Sequence, residues 1–354
     1  MTGIGADPTA MRFAVDSWDP AYGSSVELDE ELVGSSAVID AQVELAQDEW
    51  CALPPKMGLP APSGVLFVDG VRRIDARVWI EEPPGTGTGT GAFGICASYA
   101  AGVVVCSGQS AKLAVAQVHR GLFTASAGAA AVSTAAGDYP LRLSGSDDGN
   151  DLSLALQRGL GDAEVMAANA ARDALPSGTA GQDDLLVVDG PLRGRTHLPR
   201  ALGYIKTHRA SYLPPDLNAV VVALRASQRT PVFRMGTSWN RYSWYLRLPC
   251  RPNGTWAGIV RVECGPQLPV PDVIRLADLS QIVLPRYAST EHKDRRAPQN
   301  LYPIAGLERQ LRRRLGHPGL LYRALRRAAA TSPAAPSPSA PAPSAPAPAV
   351  PAAG

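Results

Sequence analysis

The sequence is poor in charge, in aromatic residues and in any ordered set of cysteines. Charged residues make up 19% of the 354 positions and aromatics 6%. The five cysteines, Cys51, Cys96, Cys106, Cys250 and Cys264, are scattered and no two form a CxxC pair. That argues against a zinc knuckle or a thioredoxin-like site and fits a reducing compartment. The five histidines, His119, His197, His208, His292 and His317, have no GxSxG partner, and the chain has no P-loop. A serine-hydrolase triad and a P-loop phosphate cradle are therefore not expected. No apolar run reaches the roughly 18 residues of a membrane span. The opening MTGIGADPTAMRF lacks the basic-then-apolar order of a secretory leader. A cytoplasmic protein without a membrane anchor is expected. Net charge is only +2, so any affinity for nucleic acid has to come from a local basic patch.

What is abundant is glycine and proline, 34 and 32 residues, beside a 45% hydrophobic share that is ample for a core. Three regions follow. Residues 1–60 carry apolar residues at mixed three and four spacing over 28–50, which reads as one or two helices. Residues 61–330 alternate strand and helix patterns. The last stretch, 331–354, is Pro/Ala-rich and cannot build a core, so a disordered tail is expected. Within the middle region, GVLFVDG (64–70) reads as a buried strand ending in a turn dipeptide. RIDARVWIEE (73–82) reads as its antiparallel partner, and GTGTGTG (85–91) as a hairpin loop. Further strands are expected near 94–107, 112–124, 183–190 and 201–208, and in RTPVFRM, SWYLRLP and AGIVRVEC. Helices are expected over 150–175, with Asn150 or Asp151 as cap, over 214–227 and 271–288, and in LYPIAGLERQLRRRL and PGLLYRALRRAAA. The sum is an α/β or α+β layer fold with a mixed sheet, compatible with a ribonuclease-H-like plan.

Two apolar strands end alike, LFVDG at Asp69 and LVVDG at Asp189. Adjacent ends of this kind bring two carboxylates together, and like charges at close range call for a cation. Oxygen-only donors suit Mg²⁺ or Mn²⁺. The bland alternative is that DG is an ordinary strand-ending turn. Glu164, on the helix before the second strand, is placed to join them or to sit on a solvated helix face. Lys206, His208 and Arg209 follow the second strand. A run from Arg309 to Arg327 holds seven arginines, suited to phosphate or to a solvated helix face. Trp239, Tyr242, Trp244 and Tyr245 interleave with Arg241 and Arg247. That mixing suits stacked bases, but core packing explains it better.

Taken in order, GVLFVDGVRR, DDLLVVDGPLRG, GYIKTH, RTPVFRMG, YLRLP with IVRVE, and ADLSQIVLPRYA through YPIAGLERQLRR resemble the NurA family of DNA-end-processing nucleases over about residues 60–320. The resemblance implies a ribonuclease-H-like mixed sheet flanked by helices and a Mn²⁺- or Mg²⁺-dependent DNA nuclease. It also implies a hexameric HerA-type ATPase as partner, with a homodimer expected. On it Asp69, Asp189 and Glu164 are the metal ligands, and Lys206, Arg261, Arg312 and Arg313 hold DNA. Val71 and Pro191 stand where the family usually carries serine. Glu308 stands where the family tends to place a histidine, and is assigned with the catalytic acids; His292 is a possible substitute. The alternative is a non-catalytic protein that keeps the fold and binds DNA ends or the ATPase.

Overall fold

The computed structural model describes residues 11–16, 37–81, 91–175, 183–207, 212–251, 254–290, 292–294 and 296–331. The Pro/Ala tail beyond 331, residues 85–90 of the Gly/Thr loop, His208 and Arg209 lie outside these. The strands are β1 (Phe13–Val15), β2 (Val38–Asp40), β3 (Gly64–Ile80), β4 (Ala92–Ser107), β5 (Ser110–Thr124), β6 (Val132–Thr134), β7 (Gly137–Tyr139), β8 (Leu141–Leu143), β9 (Asp184–Asp189), β10 (Ala201–Ile205), β11 (Phe233–Gly236), β12 (Asn240–Arg247) and β13 (Ile259–Cys264). The helices are α1 (Gly149–Asp173), α2 (Pro215–Ala223), α3 (Val270–Tyr287), α4 (Tyr302–Arg314) and α5 (Pro318–Thr331).

β3, β4 and β5 form an antiparallel meander. α1 then crosses back, β9 lies parallel to β3, and β10 lies parallel to β9. The order β5-β4-β3-β9-β10 with these directions is the ribonuclease-H-like plan, a mixed sheet flanked by helices. β13, β12, β11 and β2 continue the sheet beyond β10, all antiparallel.

The central strands are buried on both faces, which is why GVLFV and LLVV are unbroken apolar runs. Leu66, Val68, Leu186 and Val188 meet Leu152, Leu156, Leu160 and Ala163 of α1 on one face. Val65, Phe67, Leu185 and Val187 meet Leu276 and Val283 of α3 and Ile304 and Leu307 of α4 on the other. The α1 contacts recur at helical spacing on one stripe. Its cap is Asp148, which accepts from the Asn150 N–H at 3.1 Å, two residues before the earlier of the two caps the sequence suggested.

Two expectations are corrected. The helices foreseen over 28–50 are absent from the described part. Residues 38–40 form β2 on the edge strand β11, and 47–49 make a single 3-10 turn. An open sheet edge outcompetes a helix that has little apolar stripe to bury. The hairpin foreseen between 64–70 and 73–82 is also absent. Residues 64–80 are one 17-residue strand, and the hairpin lies between β3 and β4 instead. Asp69–Gly70 is therefore mid-strand rather than a turn, whereas at the second copy Gly190 takes φ +105° and ends β9.

Candidate active site

The site forms at a gap in the sheet. β9 pairs with β3 only from Gly64↔Asp184 to Val68↔Val188, and β1 takes the same edge of β3 only from Val78 to Ile80. Between these, among the described residues, no strand covers that edge. Asp69 is the first residue of the gap and Asp189 the last of β9, one register step past the Val68↔Val188 pair. Neighbouring strands lie about 4.8 Å apart and register partners share a face. Both carboxylates therefore leave the sheet side by side, on the face of Phe67 and Val187.

Glu164 arrives from α1 on the opposite face. It reaches the sheet because position 70 has no side chain: a Cβ there would lie 2.6 Å from Glu164 Oε1 and 2.6 Å from Leu160 Cδ1. The glycine of the first VDG thus serves a close approach rather than a turn.

Each acid except Asp69 has its own cation. Lys206 Nζ lies 2.6 Å from Asp189 Oδ2 and donates at 3.3 Å to Asn300 Oδ1. Asn300 in turn donates to Asp294 Oδ2 at 2.5 Å. Arg195, from the loop after β9, pairs with Glu164, both groups being buried. Asp69 accepts from the Gly70 N–H at 2.7 Å. Among the described residues no three His, Cys, Asp or Glu side chains close on a single metal-sized point.

The electrostatics show more buried negative charge than positive. Asp69 is raised well above the usual carboxylate range by burial, then by the charges of Asp189 and Glu164, against Lys206 and the Gly70 N–H. Asp189 is raised by burial and by Glu308, against Lys206 and Arg296. Burial pushes Glu164 up to about 7 although Arg195 opposes it. Three half-compensated, oxygen-only donors fit a hard dication such as Mn²⁺ or Mg²⁺, which keeps waters and needs few protein ligands.

The remaining sequence candidates divide. Glu308, on α4, is bridged by Arg296 at 2.8 Å and Arg312 at 2.8 Å, which hold its carboxyl below the usual range against the cost of burial. Its field reaches Asp189, so it belongs to the rim of the site. Arg312 and Arg313 are exposed on the last turn of α4. Arg261, expected on DNA, is corrected: it is buried on β13, 3.0 Å from Glu263, with its guanidinium over the Tyr212 ring. Glu263 also takes Arg241 at 3.1 Å and the Leu192 N–H at 2.8 Å. This fully buried carboxylate ties the loop after β9 to the sheet. Trp244 and Tyr245 are core residues. His292 lines a separate cavity with Cys250 and Ser289. Arg195, Arg296 and Asn300 escaped the sequence reading. Arg195 directly follows DDLLVVDGPLRG and Arg296 ends the basic TEHKDRR around His292, but neither was assigned a role.

No protein-family model matches the chain, and no curated protein matches it. Among solved structures it is similar to the NurA nuclease from Sulfolobus solfataricus. That match has 12% identity, covers 75% of this chain and 85% of that one, and has a TM-score of 0.40. It is also similar to the catalytic domain of human endonuclease V, at 15% identity, 75% and 92% coverage and a TM-score of 0.33. At such identities no residue correspondence is carried over. No described helix is long and apolar enough to cross a membrane.

Proposed function

We propose that the chain is a metal-dependent DNA nuclease that acts on DNA ends in repair, as a homodimer working with a HerA-type hexameric ATPase. The observation that carries the nuclease reading is the sheet gap, which Asp69 and Asp189 approach from one face and Glu164 from the other, three acids against the two cations Lys206 and Arg195. Asp69 and Asp189 would hold Mn²⁺ or Mg²⁺, with Glu164 assisting. Such an ion, when bound, supplies the Lewis acidity that phosphodiester hydrolysis needs.

The chain's own groups do the rest. Lys206 holds Asp189 in place and offers a cation to a phosphate entering the gap. Arg195 fixes Glu164 over Gly70. Arg296, Arg312 and Arg313 on the rim bind backbone phosphates, and Glu308 sets the geometry of two of them. The ATPase and the homodimer rest on the sequence resemblance alone; co-purification with the ATPase and light scattering test them.

The second reading is a non-catalytic DNA-end-binding or ATPase-binding protein. It is favoured by Glu308, an acid already held by two arginines where the resembled family tends to carry a histidine. Incubation of linear DNA with the purified protein and Mn²⁺, Mg²⁺ or EDTA decides. Cutting with Mn²⁺, less with Mg²⁺ and none with EDTA supports the nuclease. DNA binding without cutting under all three conditions supports the second reading.

A further inference from the structure

Asp189 pairs in register with Tyr204 of β10, which lies with Phe67 and Val187 in the core on the α3 and α4 side. Lys206 follows two residues later on that same face. The loop between α3 and α4 closes over this face. Tyr204 Oη donates to the Gln299 carbonyl at 2.6 Å, and the buried Leu301 is the N-cap of α4. Asn300, between them, is fully buried, and its N–H donates to the Arg296 carbonyl at 3.0 Å. The loop is thus anchored to β10 and α4 without help from the Asn300 side chain.

That side chain sits between an ammonium, which only donates, and a carboxylate, which only accepts. Lys206 Nζ is 3.3 Å from Asn300 Oδ1, and Asn300 Nδ2 donates to Asp294 Oδ2 at 2.5 Å. The two neighbours fix which way the amide points. An ionised Asp at 300 would face Asp294 with a second carboxylate, and Leu would leave both neighbours unmet. Asp294 is itself held, its Oδ1 accepting from the Arg296 N–H at 2.8 Å and its carbonyl from the Ala297 N–H at 3.1 Å. It also lies 3.9 Å from the Arg296 guanidinium. Burial raises Asp189, and Lys206 and Arg296 both oppose that rise. Asp294 therefore stands behind both of these cations, behind Lys206 by way of Asn300. A lysine has a long flexible stem and a compact head. Asp189, 2.6 Å from Nζ, fixes how far the ammonium reaches, and a second acceptor is needed to fix its direction.

We infer that Asn300 is a positioning residue: seated by Asp294, its amide directs the Lys206 ammonium, so that Asp189 and a phosphate entering the gap meet a cation at one fixed place. What the directed ammonium does for DNA rests on the nuclease reading. That Asn300 directs it does not.

The test reads the ammonium directly, by ¹⁵N NMR of the lysine side chains in the full-length protein. An ammonium held by acceptors exchanges its protons with water slowly enough to give a signal, and a loose one does not. The Lys206 signal is the one that Lys206→Met removes. It should be present in wild type and lost in Asn300→Ala. Where Asn300→Ala does not fold, Asp294→Asn, at a partly exposed position, should weaken the same signal. Asn300→Asp alone should lose it, because the new carboxylate faces Asp294. Asn300→Asp combined with Asp294→Asn exchanges donor and acceptor, keeps the total charge and each bond, and should restore it. Linear DNA with Mn²⁺ gives the kinetic reading: Asn300→Ala should lower kcat about tenfold to a hundredfold with KM nearly unchanged, and the exchanged pair should recover much of that loss. A wild-type protein without a Lys206 signal overturns the proposal. So does a folded Asn300→Ala protein that keeps the signal, or one that cuts as wild type does. If wild type cuts no DNA but the signal is lost and restored as stated, the nuclease reading fails and the positioning role stands.

Discussion

At the scale of single residues, Asp69 bears the greatest electrostatic cost in the site. It is buried, two carboxylates face it, and among the described residues only a backbone N–H is its own partner. Asp69→Asn keeps the shape and removes the charge, so it should raise Tm by a few degrees while abolishing cutting. Mn²⁺ should raise the wild-type Tm and leave that of Asp69→Asn unmoved, read by differential scanning fluorimetry without any activity assay. An Asn variant that cuts as well as wild type removes Asp69 from the chemistry. His119, on β5 with β4 between it and the strand of Asp69, offers a second test. It stacks on Tyr99 at 5.4 Å, and burial and then Arg142 lower its pKa below the ordinary value. A group so lowered contributes stability in full above its unfolded pKa, about 6.5, and loses it as pH falls through the folded value. Denaturant midpoints at pH 7.5 and 5 should therefore fall less in His119→Gln than in wild type. Equal falls would show that the imidazole is not the group that titrates.

At the scale of elements, the device that builds the site is a glycine in the middle of a long strand. Gly70→Ala places a methyl group 2.6 Å from Glu164 Oε1 and from Leu160 Cδ1. α1 or the Glu164 side chain has to move, at about 1–3 kcal/mol, and cutting should drop although all three carboxylates are still present. Denaturant unfolding alongside Mn²⁺-dependent cutting checks both. This glycine also shows where the sequence was readable and where it was not. The apolar runs at 64–68 and 185–188 announce doubly buried strands, and the stripe through 152, 156, 160 and 163 announces α1. Asp69 and Asp189 stood out because the same three letters, VDG, end both apolar runs. Local patterns do not carry what Gly70 does, because DG signals a turn unless one knows that a helix will press an acid against it. The partners of the acids were only partly legible. Lys206 was singled out after the second strand, but Arg195 and Asn300 reach Glu164 and Lys206 only once the loops after β9 and α3 have folded across the sheet. The N-terminal strands escaped for a related reason: β1 and β2 are three-residue segments whose only support is an edge they find in the tertiary fold.

At the scale of the whole molecule, a chain of net charge +2 gathers exposed arginines along α4 and α5. Arg309, Arg312, Arg313, Arg314, Arg323, Arg326 and Arg327 are all exposed. Arg312, Arg313 and Arg314 close α4, where cations also favour the negative end of a helix. That structural role and a DNA-binding role predict different losses. If they only cap the helix, replacing them with alanine lowers Tm and leaves the salt dependence of DNA binding alone. If they hold phosphates, each lost contact flattens the slope of log K against log salt by about 0.9. Arg312 is already bridged to Glu308, 2.8 Å away, so it starts partly neutralised. The triple Ala variant should therefore flatten the slope by about 2, little more than Arg313→Ala with Arg314→Ala. Glu308→Gln frees Arg312 and Arg296 together and should steepen the slope in the opposite sense. Fluorescence anisotropy on a short duplex, at several salt concentrations, separates the cases. An unchanged slope in the triple variant assigns the run to helix capping or a protein partner. A flattened slope with an unchanged Tm assigns it to DNA. The Glu308→Gln result then shows whether the acid on the rim restrains the basic face beside Asp189 or merely decorates it.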